Sequence, residues 1–94
     1  MTDPTLLVLT SLADGDKHGY AMMLDIEQFA GTKLGAGSLY GAITRLEKCG
    51  WIRPVGTGER RQPYAITGAG RAYLEREVAD LGRLARTVAE RLPA

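Results

Sequence analysis

The stretch from residue 68 to residue 94 constrains the fold of this 94-residue chain more than any other. Leu74, Val78, Leu81, Ala85, Val88 and Leu92 recur at spacings of four and three, the heptad rhythm of a helical seam. Thr67 stands just before it, where its hydroxyl can accept from the amide of Ala69 or Gly70 and cap a helix. At about 1.5 Å per residue such a helix is ~35 Å long, more than a small core can cover. The seam therefore calls for a second copy of the chain, through the same helix or through the first one. Packing against the chain's own core is the alternative.

The first helix is expected to open at Asp3, as cap, and Pro4, at the first helical position, after Thr2. Leu6, Leu7, Val8, Leu9, Leu12 and Ala13 then make it apolar nearly all round, so it must be covered on several sides. Leu6 and Leu9 are accordingly grouped with the seam as dimerisation positions. Residues 14–17 read as a turn, and a second helix is expected from about His18 to Ala30, with Met22, Ile26 and Phe29 on one face. His18 has no acidic or nucleophilic partner nearby in the sequence and reads as structural, at the start of that helix.

A third helix is expected over residues 36–48. Leu39, Ile43 and Leu46 form its apolar stripe, and Gly50 follows to close it in the left-handed conformation, with Trp51 packing back toward Leu46. Its other side is light: Gly37, Ser38, Gly41 and Thr44, with the cations Arg45 and Lys48 toward the end. Such a face suits the floor of a DNA groove, where Ser, Thr and Arg reach base edges or phosphates. A solvated helix surface accounts for the same residues if they are taken alone.

Residues 51–55 and 62–66 read as short strands around residues 56–61, a loop with two glycines and with Arg60 and Arg61 near its end. Pro54 and Pro63 cannot donate to a ladder, so the strands should be short and peripheral. A basic hairpin tip after a groove helix has the composition of a wing that grips phosphate. Charge is distributed accordingly. Residues 1–32 carry one lysine against five carboxylates, whereas residues 33–61 carry six cations against two.

Several classes are excluded or disfavoured. There is no apolar run long enough to span a bilayer and no basic-then-apolar leader, so a cytoplasmic protein without membrane contact is expected. With Cys49 the single cysteine and His18 the single histidine, no metal set and no cofactor is expected. Cys49 reads as a small apolar filler at the end of the third helix. Gly35-x-Gly37 lacks the third glycine and the preceding strand of a dinucleotide loop, and no acid-base constellation occurs, so an enzyme is not expected.

The element order implies a mainly α fold with a small β-hairpin: a winged helix-turn-helix over residues 1–67 followed by a long dimerisation helix over residues 68–94. Leu7 to Ala13 with His18-Gly19-Tyr20, Gly37-Ser38-Leu39-Tyr40 with Arg45-Leu46-Glu47, Gly50-Trp51-Ile52, and Tyr64-Ala65-Ile66-Thr67 with Gly70-Arg71 resemble the PadR family of bacterial transcriptional regulators. The resemblance spans about residues 5–75, and the C-terminal helix matches in position.

It implies a homodimer on a pseudo-palindromic operator, usually a repressor, with Ser38, Tyr40, Thr44 and Arg45 near DNA. It also implies that a small aromatic or phenolic effector can act in the cleft between domain and dimer helix, with Trp51 or Tyr73 either lining that cleft or packing in the core. Tyr40 either reaches a phosphate or packs at the helix base. Gly41 and Gly35 stand where the family often has proline and a capping serine, which loosens the start of the third helix. A winged-helix module for protein interaction, without DNA binding, is the competing reading.

Overall fold

A helix as apolar as the first one can persist only where others surround it, and the rest of the chain is built around that helix. The structure, a computed structural model, describes residues 3–56 and 60–93. Thr57, Gly58 and Glu59 of the expected wing tip, and residues 1–2 and 94 at the chain ends, lie outside the described residues. In α1 (Pro4–Leu12), Asp3 accepts a hydrogen bond from the amide of Thr5 and Pro4 occupies the first turn. Val8 and Leu9 are fully enclosed and Leu12 nearly so, and α1 packs against all three other helices and the sheet. Burying each such side chain stabilises the fold by roughly 1.5–3 kcal/mol.

This burial corrects one expectation. Leu9, grouped with the dimer seam, is wholly enclosed in the chain's own core and has no surface to offer a second copy. Leu6 is half-buried against the same core, and Leu74 is buried within it. A helix apolar on nearly every side fits a position at the centre of one chain as well as one at an interface, and periodicity does not distinguish the two.

The strands also differ from expectation. β2 (Ile52–Pro54) and β3 (Pro63–Ile66) form the hairpin, with Arg53 opposite Ala65. A third strand, β1 (Lys17–His18), pairs antiparallel with the other edge of β3, placing Lys17 opposite Tyr64 and His18 opposite Pro63. From sequence Lys17 reads as turn and His18 as helix. Two residues give no alternation to read, and their extended form is fixed by a partner some 45 positions away. Pro63 sits at the first position of central β3, where a missing donor costs least.

The turn before β1 is held by Lys17. Its Nζ donates to the carbonyl of Ser11 and to Asp14 Oδ1 at 2.7 Å, and buried Ser11 Oγ donates to Asp25 Oδ2 at 2.7 Å. The hydrogen bond from Lys17, and then its charge, hold the Asp14 carboxyl below its ordinary range. One cluster thus joins the end of α1, the turn and α2 (Gly19–Ala30).

In α3 (Ala36–Cys49), Leu39, Ala42, Ile43 and Leu46 face the core. Its N-cap, Gly35, has no side chain to accept a bond, yet the helix is continuous through Gly37 and Gly41. Gly50 closes it at φ 77°, and the Trp51 amide donates to the Leu46 carbonyl at 3.0 Å.

The last helix, α4 (Gly68–Arg91), is docked through its first turn. Thr67 Oγ1 accepts from the Gly70 amide and donates to the Gly50 carbonyl, and Arg71 Nη2 donates to the Ala13 carbonyl. Gly70 is pressed against the carbonyl of Trp51: a Cβ on it would meet the carbonyl oxygen and stand 2.9 Å from the carbonyl carbon. A Cβ on Gly68 would meet nothing within 4 Å. Gly70→Ala is therefore expected to lose about 1–3 kcal/mol in a denaturant titration, whereas Gly68→Ala should be neutral or gain a few tenths of that.

Candidate nucleic-acid interface

The amphipathicity of α3 decides what the fold presents. With its apolar stripe buried, Gly37, Ser38, Tyr40, Thr44, Arg45 and Lys48 are exposed and Gly41 is half-buried. Thr44 Oγ1 donates back to the Tyr40 carbonyl at 2.9 Å, so its hydroxyl faces outward as an acceptor. No side chain larger than threonine interrupts the face between Ser38 and Arg45 except Tyr40 at its edge.

The hairpin brings a second set of cations. Gly56, at φ 81°, starts the loop in a conformation that favours glycine. Gln62 Nε2 closes its base by donating to the carbonyls of Val55 and Pro63, each at 2.8 Å. Arg60 and Arg61 emerge exposed from the returning arm. The Arg61 guanidinium lies 5.7 Å from the centre of the Tyr20 ring, a cation–π distance that draws the arm toward the start of α2.

Between these elements lies a cleft of about 360 Å³ that the sequence reading missed. The N-terminus of α2 forms its floor: His18 caps that helix, with Nδ1 accepting from the Ala21 amide at 3.2 Å, and Gly19 and Tyr20 follow. Tyr40 reaches in from α3, and Tyr64 and the two arginines close the hairpin side. Gly19 is essential to this geometry, since a Cβ there would lie 2.5 Å from the Tyr40 hydroxyl and 2.8 Å from its ring carbons. Tyr40 is therefore half exposed with its hydroxyl resting over the first turn of α2. Burial, and then the charges of Glu47 and Tyr40, push the Tyr64 hydroxyl above its ordinary pKa, so it stays a protonated donor. The sequence signal for this cleft was the His18-Gly19-Tyr20 run, but nothing local links it to Tyr40 or Tyr64.

Trp51 and Tyr73 stack on each other, with ring centres 4.1 Å apart and planes at 18°, each filling the space beside the other. Tyr73 also donates to Glu77 Oε1 at 3.0 Å, which together with burial raises its pKa. Cys49 is exposed, not a filler. The aromatic pair and Cys49 both stand apart from the cleft lining.

Along α4 the seam divides. Leu74 belongs to the core, whereas Val78, Leu81, Ala85, Val88 and Leu92 are exposed, and so is Leu84 at 60%, which the heptad reading passed over. Among the described residues no helix is long and apolar enough to cross a membrane, and no cluster of three metal-ligating side chains occurs.

Comparison with known proteins agrees with this architecture. The family model described as the transcriptional regulator PadR-like family matches residues 8–76. A 37.1 kDa uncharacterized protein in a Streptomyces fradiae transposon is 49% identical over 88 residues, 94% of this chain, and the chain spans 26% of that relative's length. A transcriptional regulator from Clostridium thermocellum superposes with a TM-score of 0.83 at 26% identity, covering 96% of this chain and 90% of that one. A PadR family regulator from Clostridium difficile gives a TM-score of 0.84 at 21% identity, covering 95% and 97%, and shares the fold.

The approach of Tyr40 to Gly19 is open to direct measurement. Gly19→Ala is expected to displace the exposed Tyr40 ring with little loss of stability, read as changed Tyr40 ring-proton shifts at a nearly constant thermal midpoint. Unchanged ring shifts would contradict the packing described.

Proposed function

Because the chain belongs to the PadR-like family of transcriptional regulators, we propose that it binds operator DNA as a homodimer and acts as a repressor. The observation that carries this reading is the light, exposed face of α3 lying on the same molecule as the exposed wing arginines. Gly37, Ser38, Gly41 and Thr44 let the helix backbone come near the groove floor, where Arg45 and Lys48 supply charge. Tyr40, with Arg60 and Arg61, meets phosphate at the flank.

Dimerisation uses the part of α4 that its own core leaves bare. Val78, Leu81, Ala85, Val88 and Leu92 form a stripe continuing from buried Leu74, and Leu84 widens it. Glu77 and Arg91 flank this stripe seven residues either side of Leu84. An antiparallel pairing centred there sets each glutamate near the arginine of the other copy, whereas a parallel pairing sets like charges together. The division at residue 67 is then one of labour, with residues 1–67 reading DNA and 68–94 setting the distance between two readers. A cytoplasmic location fits this role. Catalysis has no part in it.

The salt dependence of a gel shift tests the DNA reading. Arg60→Ala with Arg61→Ala should weaken binding to every duplex and lower the salt slope by about two. Thr44→Ala or Arg45→Ala should instead relax discrimination at particular base pairs. A chain that is not retained on any duplex would favour the protein-interaction reading. Independently, Val78→Glu with Leu81→Glu should convert a sedimenting dimer to monomer while leaving the thermal unfolding of residues 1–67 cooperative, because both side chains are exposed in a single chain.

A further inference from the structure

The cleft between α2, Tyr40 and the wing is larger than a backbone phosphate contact needs. At about 360 Å³ it falls in the range of small-molecule sites and exceeds the volume of a bare phosphate several times over. Its lining joins two chemistries. The start of α2, where the helix dipole is positive and His18 already accepts from the Ala21 amide, stands with the guanidinium of Arg61 and with Arg60. These groups suit a phosphate, and among the described residues no carboxylate lines the cleft. Tyr20 and Tyr40, both about half exposed, and the more buried Tyr64 line the same cleft. Exposed tyrosine rings beside an arginine are stacking surfaces for a nucleobase, with no demand for a particular base.

We propose that this cleft binds a nucleoside phosphate unit, with the phosphate held at the start of α2 and by Arg61 and the base against the tyrosines, so that a free mononucleotide competes with DNA. The competition rests on the DNA-binding reading, because Tyr40 and the two arginines serve both. Gly19 is what permits the arrangement. It lets the Tyr40 hydroxyl lie over the first turn of α2, where it can donate to the same phosphate as Arg61. Arg61 must slide from the Tyr20 face to admit a base, and it lies within reach of the phosphate after doing so.

The test uses the full chain with dAMP, deoxyadenosine and inorganic phosphate as separate probes, followed by amide chemical shifts and calorimetry. The expected result is saturable dAMP binding with shifts at Gly19, Tyr20 and Gln62, and binding about tenfold weaker for deoxyadenosine and for phosphate. Arg61→Gln and Tyr20→Leu, both at exposed positions, should each weaken dAMP while leaving the thermal midpoint in place. Added dAMP should release a bound duplex in the gel shift. Absence of saturation at about 10 mM dAMP, equal affinity for bare phosphate, or shifts confined to α4 would each overturn the site. A chain that binds dAMP but no duplex would overturn the competition and the DNA reading, with the nucleotide site upheld. One that binds duplex but not dAMP would overturn the nucleotide site and uphold the DNA reading.

Discussion

The enclosure of α1 is the constraint on which the rest of the structure depends. Leu7, Val8, Leu9 and Leu12 leave little of that helix beyond the exposed Thr10 able to face water, so α2, α3, the sheet and the first turns of α4 must all close on it. Each of these elements is thereby obliged to turn its own apolar stripe inward and its polar face outward. For α3 the result is a bare outer surface of small residues. The exposed face proposed to meet DNA follows from the demand of the core.

A second tight contact fixes the long helix relative to that core. Gly70 against the Trp51 carbonyl, with Thr67 bonded to both the Gly50 carbonyl and the Gly70 amide, welds the end of α3 and the start of β2 to α4. The two surfaces proposed to act are coupled through a few residues near Gly50: α3 leading into it on one side, the exposed seam leading away on the other. A rigid joint suits the proposed dimer, in which the spacing of two α3 helices depends on how two α4 helices pair.

The cleft is built on a different economy. Tyr40 rests over Gly19 and Arg61 over Tyr20, contacts made by exposed side chains that cost little to move. The core and the α4 joint are held by buried aliphatic packing and by close backbone contact, whereas Tyr40 and Arg61 bound the cleft through exposed side chains. Rigidity and adaptability are thus segregated, the one toward α4 and the other toward the wing.

Much of the architecture was legible in the sequence because its signals are local. Asp3 and Pro4, Gly50 and Thr67 mark helix ends through their own chemistry, and the stripes of α3 and α4 follow from the helical period. The light face of α3 and the basic wing follow from composition alone. Only the tertiary structure decided that Leu9 lies inside the chain, that Lys17 and His18 pair with β3, and that Leu84 lies exposed beside the seam. It alone brought Gly19, Tyr40, Tyr64 and Arg61 around one cleft. The physical reason is common to all of these: each depends on which distant surface covers a residue, and a period or a cap records only how the chain turns, not what it comes to rest against.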